Sequence, residues 1–297
     1  MKGVYYCDRK TGELKQEVVP GESWLNFLYH NPLGKLALSA LVKRKFLTQC
    51  YGGGMDLPKS KSRIAGFVDS LKIDMSEALL SQDDFQNFNE FFIRELKPEA
   101  RPINNDPNVI VSPADGRVMV FRDINQLDTF FAKGQDFSLQ SFLKDESLAE
   151  KYIDGSMVIF RLAPVDYHRF HFPADGEITE SKLINGNYYS VSPYAVKNRL
   201  SIYWENKREY SVLKKTVVGD ILLCEVGATM VGSIVQNYKP NSLVNKGQEK
   251  GYFKFGGSTV VALFEKGKLQ IDDDVLQNMN KGYETIIKMG ERLGCAL

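Results

Sequence analysis

The sequence is poor in the residues that build most metal, redox and acid–base sites. Its 297 residues hold three histidines, four cysteines and two tryptophans. Cys7, Cys50, Cys224 and Cys295 form no CxxC pair and no regular spacing. That argues against a zinc site or a disulfide framework and makes a reducing compartment the default. No uncharged apolar run nears the roughly 20 residues that span a bilayer. The start, MKGVYYCDRK, lacks the apolar core of a secretory signal, so a protein kept inside the cell is expected. A large net charge is missing too: 38 Lys+Arg face 37 Asp+Glu, leaving +1, which speaks against a basic nucleic-acid binder. With 43% hydrophobic residues the chain is neither disordered nor polytopic, and its length can bury one large core or two modest ones.

The near-neutral total hides an asymmetry. Residues 1–63 carry 11 Lys+Arg against 5 Asp+Glu, whereas residues 64–297 carry 27 against 32. A basic end on an acidic body suits contact with an anionic surface, and a merely solvated basic face is the plain alternative. Within that end, residues 22–47 are the most lipid-like. Asn31-Pro32 is a helix-start signal, followed by Leu33, Leu36, Leu38, Leu41 and Val42 and then Lys43-Arg44-Lys45. Aromatic residues, an apolar face and a terminal basic triplet fit a helix lying in a membrane interface; they also fit a core helix whose cationic end matches its dipole.

Residues 64–97 read as further helix, ended by Pro98 and Pro102, and Gly52-Gly53-Gly54 reads as a turn. From about residue 108 the chain changes to short β-branched and aromatic runs at 109–111, 117–121, 157–162, 188–191, 216–226 and 258–264. One helix over 138–152, capped by Ser138, interrupts them. The turn Pro113-Ala114-Asp115-Gly116 recurs as Pro173-Ala174-Asp175-Gly176, which suggests two related β units. The expected fold is α+β: a helical, membrane-associating region over residues 1–103 capping a mostly antiparallel, barrel- or sandwich-like β body over 104–297.

Two of the three histidines fall in Asp166-Tyr167-His168-Arg169-Phe170-His171, the first sign of a site. A metal would want a third ligand; Asp115 or Asp166 is available, His30 lies in the lipid-like segment, and no metal is expected. Phe255-Gly256-Gly257-Ser258-Thr259 places paired glycines before a hydroxyl, which permits φ > 0 and close approach to the Gly257 carbonyl; an ordinary turn entering a strand is the simpler alternative. A hydroxyl nucleophile needs a base that a carboxylate orients, and Asp115, His171 and Ser258 supply those parts, although no GxSxG elbow is present.

The runs 112-SPADG-116, 164-PVDYHRFHFPADG-176, 226-VGATMVGSI-234 and 247-GQEKGYFKFGGST-259, together with 91-FFIRELKPEARP-102, resemble phosphatidylserine decarboxylase. They span roughly residues 88–264 in that family's order. The Gly-Gly-Ser-Thr form departs from the Leu-Gly-Ser-Thr of another branch but keeps the Gly-Ser bond. The resemblance implies a proenzyme that cuts itself between Gly257 and Ser258, with Asp115 orienting His171 and His171 taking the Ser258 proton. The products would be a β chain of residues 1–257 and an α chain of residues 258–297, held as a heterodimer with further oligomerisation left open. Ser258 would become a covalent pyruvoyl cofactor, which forms a Schiff base with phosphatidylserine, releases CO2 and yields phosphatidylethanolamine in phospholipid biosynthesis. His168 is the candidate for contacting the substrate carboxylate or protonating the carbanion. A substrate that stays in the lipid favours the interfacial reading of residues 22–47, with the protein peripheral on the cytoplasmic face of the cell membrane. Two alternatives stay open: a pyruvoyl decarboxylase of a free amino acid or another serine-headed lipid, and a non-catalytic lipid-binding β module.

Overall fold

The computed structural model describes residues 3–19, 27, 31, 52–124, 138–198, 201–228, 234–256 and 258–297. The expected interfacial segment 22–47 lies outside the described residues except for Phe27 and Asn31, and so does Gly257.

The β body is built on an 11-stranded sheet. Its path runs β12 (Ser242–Val244), β7 (Gly176–Ile178), β9 (Arg208–Thr216), β10 (Gly219–Gly227), β14 (Ser258–Phe264), β5 (Ser156–Leu162), β4 (Gly116–Phe121), β16 (Glu284–Ile287), β1 (Tyr5–Asp8) and β2 (Leu14–Gln16). β8 (Lys182–Ile184) pairs with β9 off that path. Two three-stranded sheets complete the body: β11 (Ile234–Gln236), β13 (Glu249–Phe253) and β6 (Arg169–His171), and β15 (Leu269–Ile271), β17 (Arg292–Ala296) and β3 (Val109–Val111). Among these strands every pairing is antiparallel except β1 with β16. The sheet path is open at β12 and β2, so the barrel-like closure expected from the sequence is not formed. The central strands β14, β5 and β4 are buried along their whole length, which is why they read as continuous apolar runs and not as alternating ones.

The repeated Pro-Ala-Asp-Gly turn marks a duplication of the whole body. From β12 to β16 the strand order reads the same from either end, about an axis between β10 and β14. Registers match one for one. Ile287 faces Gly116 as Val244 faces Gly176, and Arg161 faces Arg117 as Lys214 faces Glu177. In the small sheets Arg292 faces Val111 as Glu249 faces His171, and each pair is followed by a register shift at the same place. Gly294 and Gly251 occupy that equivalent place, where an added Cβ would sit 2.3 Å from the Gln270 carbonyl oxygen and 2.0 Å from that of Val235. Only glycine fits at either site.

Residues 1–103, where helix was expected, begin with strands: β1 and β2 extend the 11-stranded sheet, held by Arg161 bonds from Nη1 (2.9 Å) and Nη2 (2.6 Å) to the Glu17 carboxylate. The described helices of this region are short, chiefly Ile64–Leu71 and Phe88–Phe92. Gly52–Gly54, expected as a turn, are helical and lead into Met55, which is buried against Phe85, Phe88, Phe91 and Phe92. The expected helix over 138–152 is two helices, Leu139–Leu143 and Glu146–Lys151, because Lys144 turns left-handed (φ 48°) and Asp145 caps the second. Ser138 caps the first, as its sequence position implies. Residues 188–191, expected as strand, form no strand, whereas 216–226 contains the turn into β10.

The two glycines give a direct test of the packing. Gly294→Ala and Gly251→Ala are each expected to lower stability by about 1–3 kcal/mol through backbone displacement. Gly66→Ala, in the helix Ile64–Leu71 with nothing within 4 Å of its added Cβ, should raise it by roughly 0.5–1 kcal/mol. Urea-unfolding midpoints of the three variants check the signs.

Candidate active site

Each duplicated turn bonds to the strand that leads into the other, and this brings His171 to the turn that carries Asp115. His171 N donates to Pro113 O at 2.7 Å, and Val111 N donates to Pro173 O at 3.1 Å. His171, at the end of β6, is thereby held against the turn that carries Asp115. The equivalent position in the other half is Val111, so of the two related corners only one pairs an aspartate turn with a histidine.

Asp115 is buried and fully engaged. Arg101 grips both carboxylate oxygens, Nε to Oδ1 at 2.9 Å and Nη2 to Oδ2 at 2.6 Å, while Met289 N donates to Oδ1 at 2.8 Å. Lys246 N makes the equivalent bond to Asp175 at 2.7 Å, but without an arginine. No hydrogen bond joins Asp115 to His171, whose buried Nδ1 is without a partner among the described residues. Burial pushes the His171 pKa down to about 4, with Glu249 and then Asp115 opposing that shift. Asp115 therefore acts on His171 through its field in this uncut chain.

His168 is fully buried and its orientation is fixed. Its Nδ1 lies 2.9 Å from Asp166 O, and a carbonyl can only accept, so Nδ1 carries the proton and Nε2 keeps a free lone pair. That Nε2 has no partner among the described residues. Burial lowers the pKa of His168 to about 3, and the nearby Arg94 charge adds to the effect. Asp166, weighed as a metal ligand from the sequence, is used otherwise: its carboxylate pairs with Arg117 and accepts from Ala163 N at 2.6 Å. Among the described residues no three His, Cys, Asp or Glu side chains converge to hold a metal ion.

Ser258 opens β14, opposite Leu162 on β5 and Gly227 on β10, and is fully buried. Its Oγ finds no partner among the described residues, a costly state for a buried hydroxyl unless chemistry uses it. Gly256 has φ 141°, a conformation that side chains disfavour, which accounts for one of the paired glycines. The approach to Ser258 is pinned from two sides. Phe253 N donates to His168 O at 3.0 Å, and Phe255 N donates to Asn89 Oδ1 at 2.9 Å. Phe92 bridges the two, its ring 3.9 Å from that of His168 and 5.0 Å from that of Phe255. Alternation along the strand puts Ser258 on the same face as Val260, which lies opposite Glu225. Lys250 on β13 reaches Glu225 at 2.8 Å, so the small sheet carrying β6 is tied to that face.

Arg101, Asn89, Phe92 and Arg94 had no role assigned from the sequence. Three of them lie in the run 91–102, but nothing in its composition tells a clamp from a surface charge. What the region offers chemically is an orphaned hydroxyl, two imidazoles that burial keeps neutral at pH 7, and a clamped carboxylate. As pH falls below about 6.5 the unfolded chain binds protons that the buried imidazoles refuse, so stability should be full above pH 6.5 and decline toward pH 4. Urea unfolding of an uncut Ser258→Ala chain at pH 7, 5.5 and 4.5 tests this. Adding His168→Gln or His171→Gln should flatten the decline, each unit of depressed pKa corresponding to about 1.4 kcal/mol.

A family model described as phosphatidylserine decarboxylase matches residues 88–295. A protein of Fusobacterium nucleatum subsp. nucleatum named phosphatidylserine decarboxylase proenzyme is 56% identical over 291 residues, covering 98% of this chain and 97% of its own. Proteins of the same name are 46% identical in Clostridium novyi, covering 95% of both chains, and 46% identical in Clostridium tetani, covering 98% of both.

Proposed function

The chain belongs to the phosphatidylserine decarboxylase family, and on that premise we propose that it is a proenzyme which matures by cutting itself before Ser258 and then converts phosphatidylserine to phosphatidylethanolamine and CO2. The single observation that carries this reading is the buried Ser258 Oγ, without a partner among the described residues, at the head of a central strand and close in the chain to a segment pinned to His168.

In the first reaction the Ser258 oxygen attacks the Gly257 carbonyl carbon while His171, neutral at pH 7, takes the hydroxyl proton. The peptide nitrogen takes that proton back from His171 and leaves as the amine of residue 258, and an ester links the two residues. Loss of the Ser258 α-proton then breaks the Cβ–O bond, which frees a carboxylate on Gly257 and leaves dehydroalanine at position 258. Water hydrolyses this to a pyruvoyl group and ammonia. Asp115, bonded to Arg101 and Met289 N, would favour the protonated His171 that forms during attack.

The fold suits a covalent pyruvoyl group at this position because Ser258 is the terminus of a strand already paired on both edges. When formed, that group supplies an electrophilic ketone and a sink for the electrons released as CO2 departs. Phe92 packs against both His168 and Phe255 on that side, and the Nε2 lone pair of His168 would hold or return a proton there. The 40 residues from 258 to 297 contribute β14 between β10 and β5 as well as β15, β16 and β17. Too short to fold alone, they stay with residues 1–257 as a two-chain enzyme. Among the described residues no helix is long and apolar enough to cross a membrane; residues 22–47 would bring the enzyme to its lipid as a peripheral protein on the cytoplasmic face.

Intact-mass measurement of purified protein should show two chains, the smaller with a carbonyl-reactive blocked N-terminus. Ser258→Ala should give one uncut, inactive chain, and His171→Ala should slow cutting by about 10²–10⁴-fold. A single intact chain in active preparations contradicts the mechanism. Removal of residues 24–46 should reduce pelleting with anionic vesicles, and equal pelleting of the folded truncated protein would remove the membrane role of that segment.

A further inference from the structure

Arg94 follows the helix Phe88–Phe92 and is buried, with its guanidinium carbon 5.2 Å from the Phe91 ring centre. Among the described residues its guanidinium makes one long bond to an acceptor, Nη2 to Val165 O at 3.3 Å, while Nε and Nη1 are buried with no partner. Orphaned donors on a buried cation are costly and call for an acceptor. Arg94 lines a pocket of about 110 Å³ together with Arg101, Asp115, Asp166, Tyr167 and Lys288. The other charges there are matched. Arg101 pairs with Asp115 and Glu77, Lys288 with Glu77 at 2.9 Å, and Asp166 with Arg117. Asp74, at the rim, accepts from Ser76. Arg94 is the one cation of this pocket that meets no carboxylate among the described residues.

We propose that Arg94 binds the phosphodiester of the phosphatidylserine headgroup in this pocket, beside the 163–168 turn that presents His168; the inference rests on the decarboxylase reading above. The headgroup carries two anions, and their fates during reaction choose between them. A cation on the carboxylate would stabilise a charge that vanishes as CO2 leaves, and so would hold the ground state more strongly than the transition state. The phosphodiester keeps its charge from substrate to product, and a guanidinium can hold it throughout without opposing the chemistry.

The test is Arg94→Gln in the full chain, assayed on short-chain phosphatidylserine micelles at fixed ionic strength, with inorganic phosphate as the probe anion. The variant is expected to cut itself as wild type does. Its KM should rise about tenfold or more, the loss of a charge-assisted hydrogen bond, while kcat moves much less. Inorganic phosphate should compete with substrate in wild type, weakly in the Arg94→Lys variant and not measurably in Arg94→Gln. An unchanged KM with equal phosphate inhibition in wild type and Arg94→Gln overturns the proposal and leaves water as the occupant. Should Arg94→Gln not fold, failure of inorganic phosphate to compete in wild type overturns it equally. If wild type lacks decarboxylase activity yet calorimetry shows phosphate binding that Arg94→Gln abolishes, the anion site stands and the decarboxylase reading falls.

Discussion

Two backbone hydrogen bonds, His171 N to Pro113 O and Val111 N to Pro173 O, are the constraint on which the rest of the site depends. They join equivalent points of the two halves and hold each Pro-Ala-Asp-Gly turn against the strand that leads into the other. Because the halves are related but not identical, the joint yields two corners with one backbone and different side chains. One corner carries Asp115, Arg101 and His171; the other carries Asp175, Lys246 and Val111. Duplication thus supplies one frame twice, and substitution gives the two copies different side chains. Glycines at 251 and 294 let the small sheets pack close enough for that frame to close on itself.

Buried charge does the rest of the positioning. Asp115, Asp166 and Glu225 each meet a buried cation: Arg101, Arg117 and Lys250. Removing one partner from such a pair leaves a bare charge in the interior at a cost of about 3–5 kcal/mol, so each pair locks its neighbours in place. The Asp166 pair is the most consequential, since its residue also supplies the carbonyl that sets the His168 tautomer. Arg117 approaches Glu17 as well, at 3.8 Å, and Glu17 is gripped by Arg161. The N-terminal strands are therefore coupled electrostatically to the turn that presents His168, although they lie at the far end of the sheet.

Much of this was legible in the residues. The strands at 109–111 and 258–264 stand where their apolar runs begin and end, and the echo of one four-residue turn disclosed a duplication that extends to register shifts. Asp115 and His171, singled out from the sequence, lie on a turn and a strand that are bonded to each other. What the residues misjudged has a common physical cause: local pattern competing with tertiary pairing. Residues 5–16 become strands because β16 offers a free edge, and residues 188–191, β-branched and aromatic, find no such edge.

Sequence alone determined the chemistry available: a Gly-Ser bond, two scarce histidines and an aspartate in recognisable runs, because these depend on residue identity and short spacing. It determined the short-range conformations as well, such as the Ser138 cap and the glycine at 256. Only the tertiary structure decided which groups are taken and which are free. Arg101 is spent on Asp115 while Arg94 keeps donors with no partner among the described residues, yet they stand seven positions apart in one stretch. Whether a buried donor is satisfied depends on what residues far away in the chain bring to within 3 Å of it, and no local pattern encodes that.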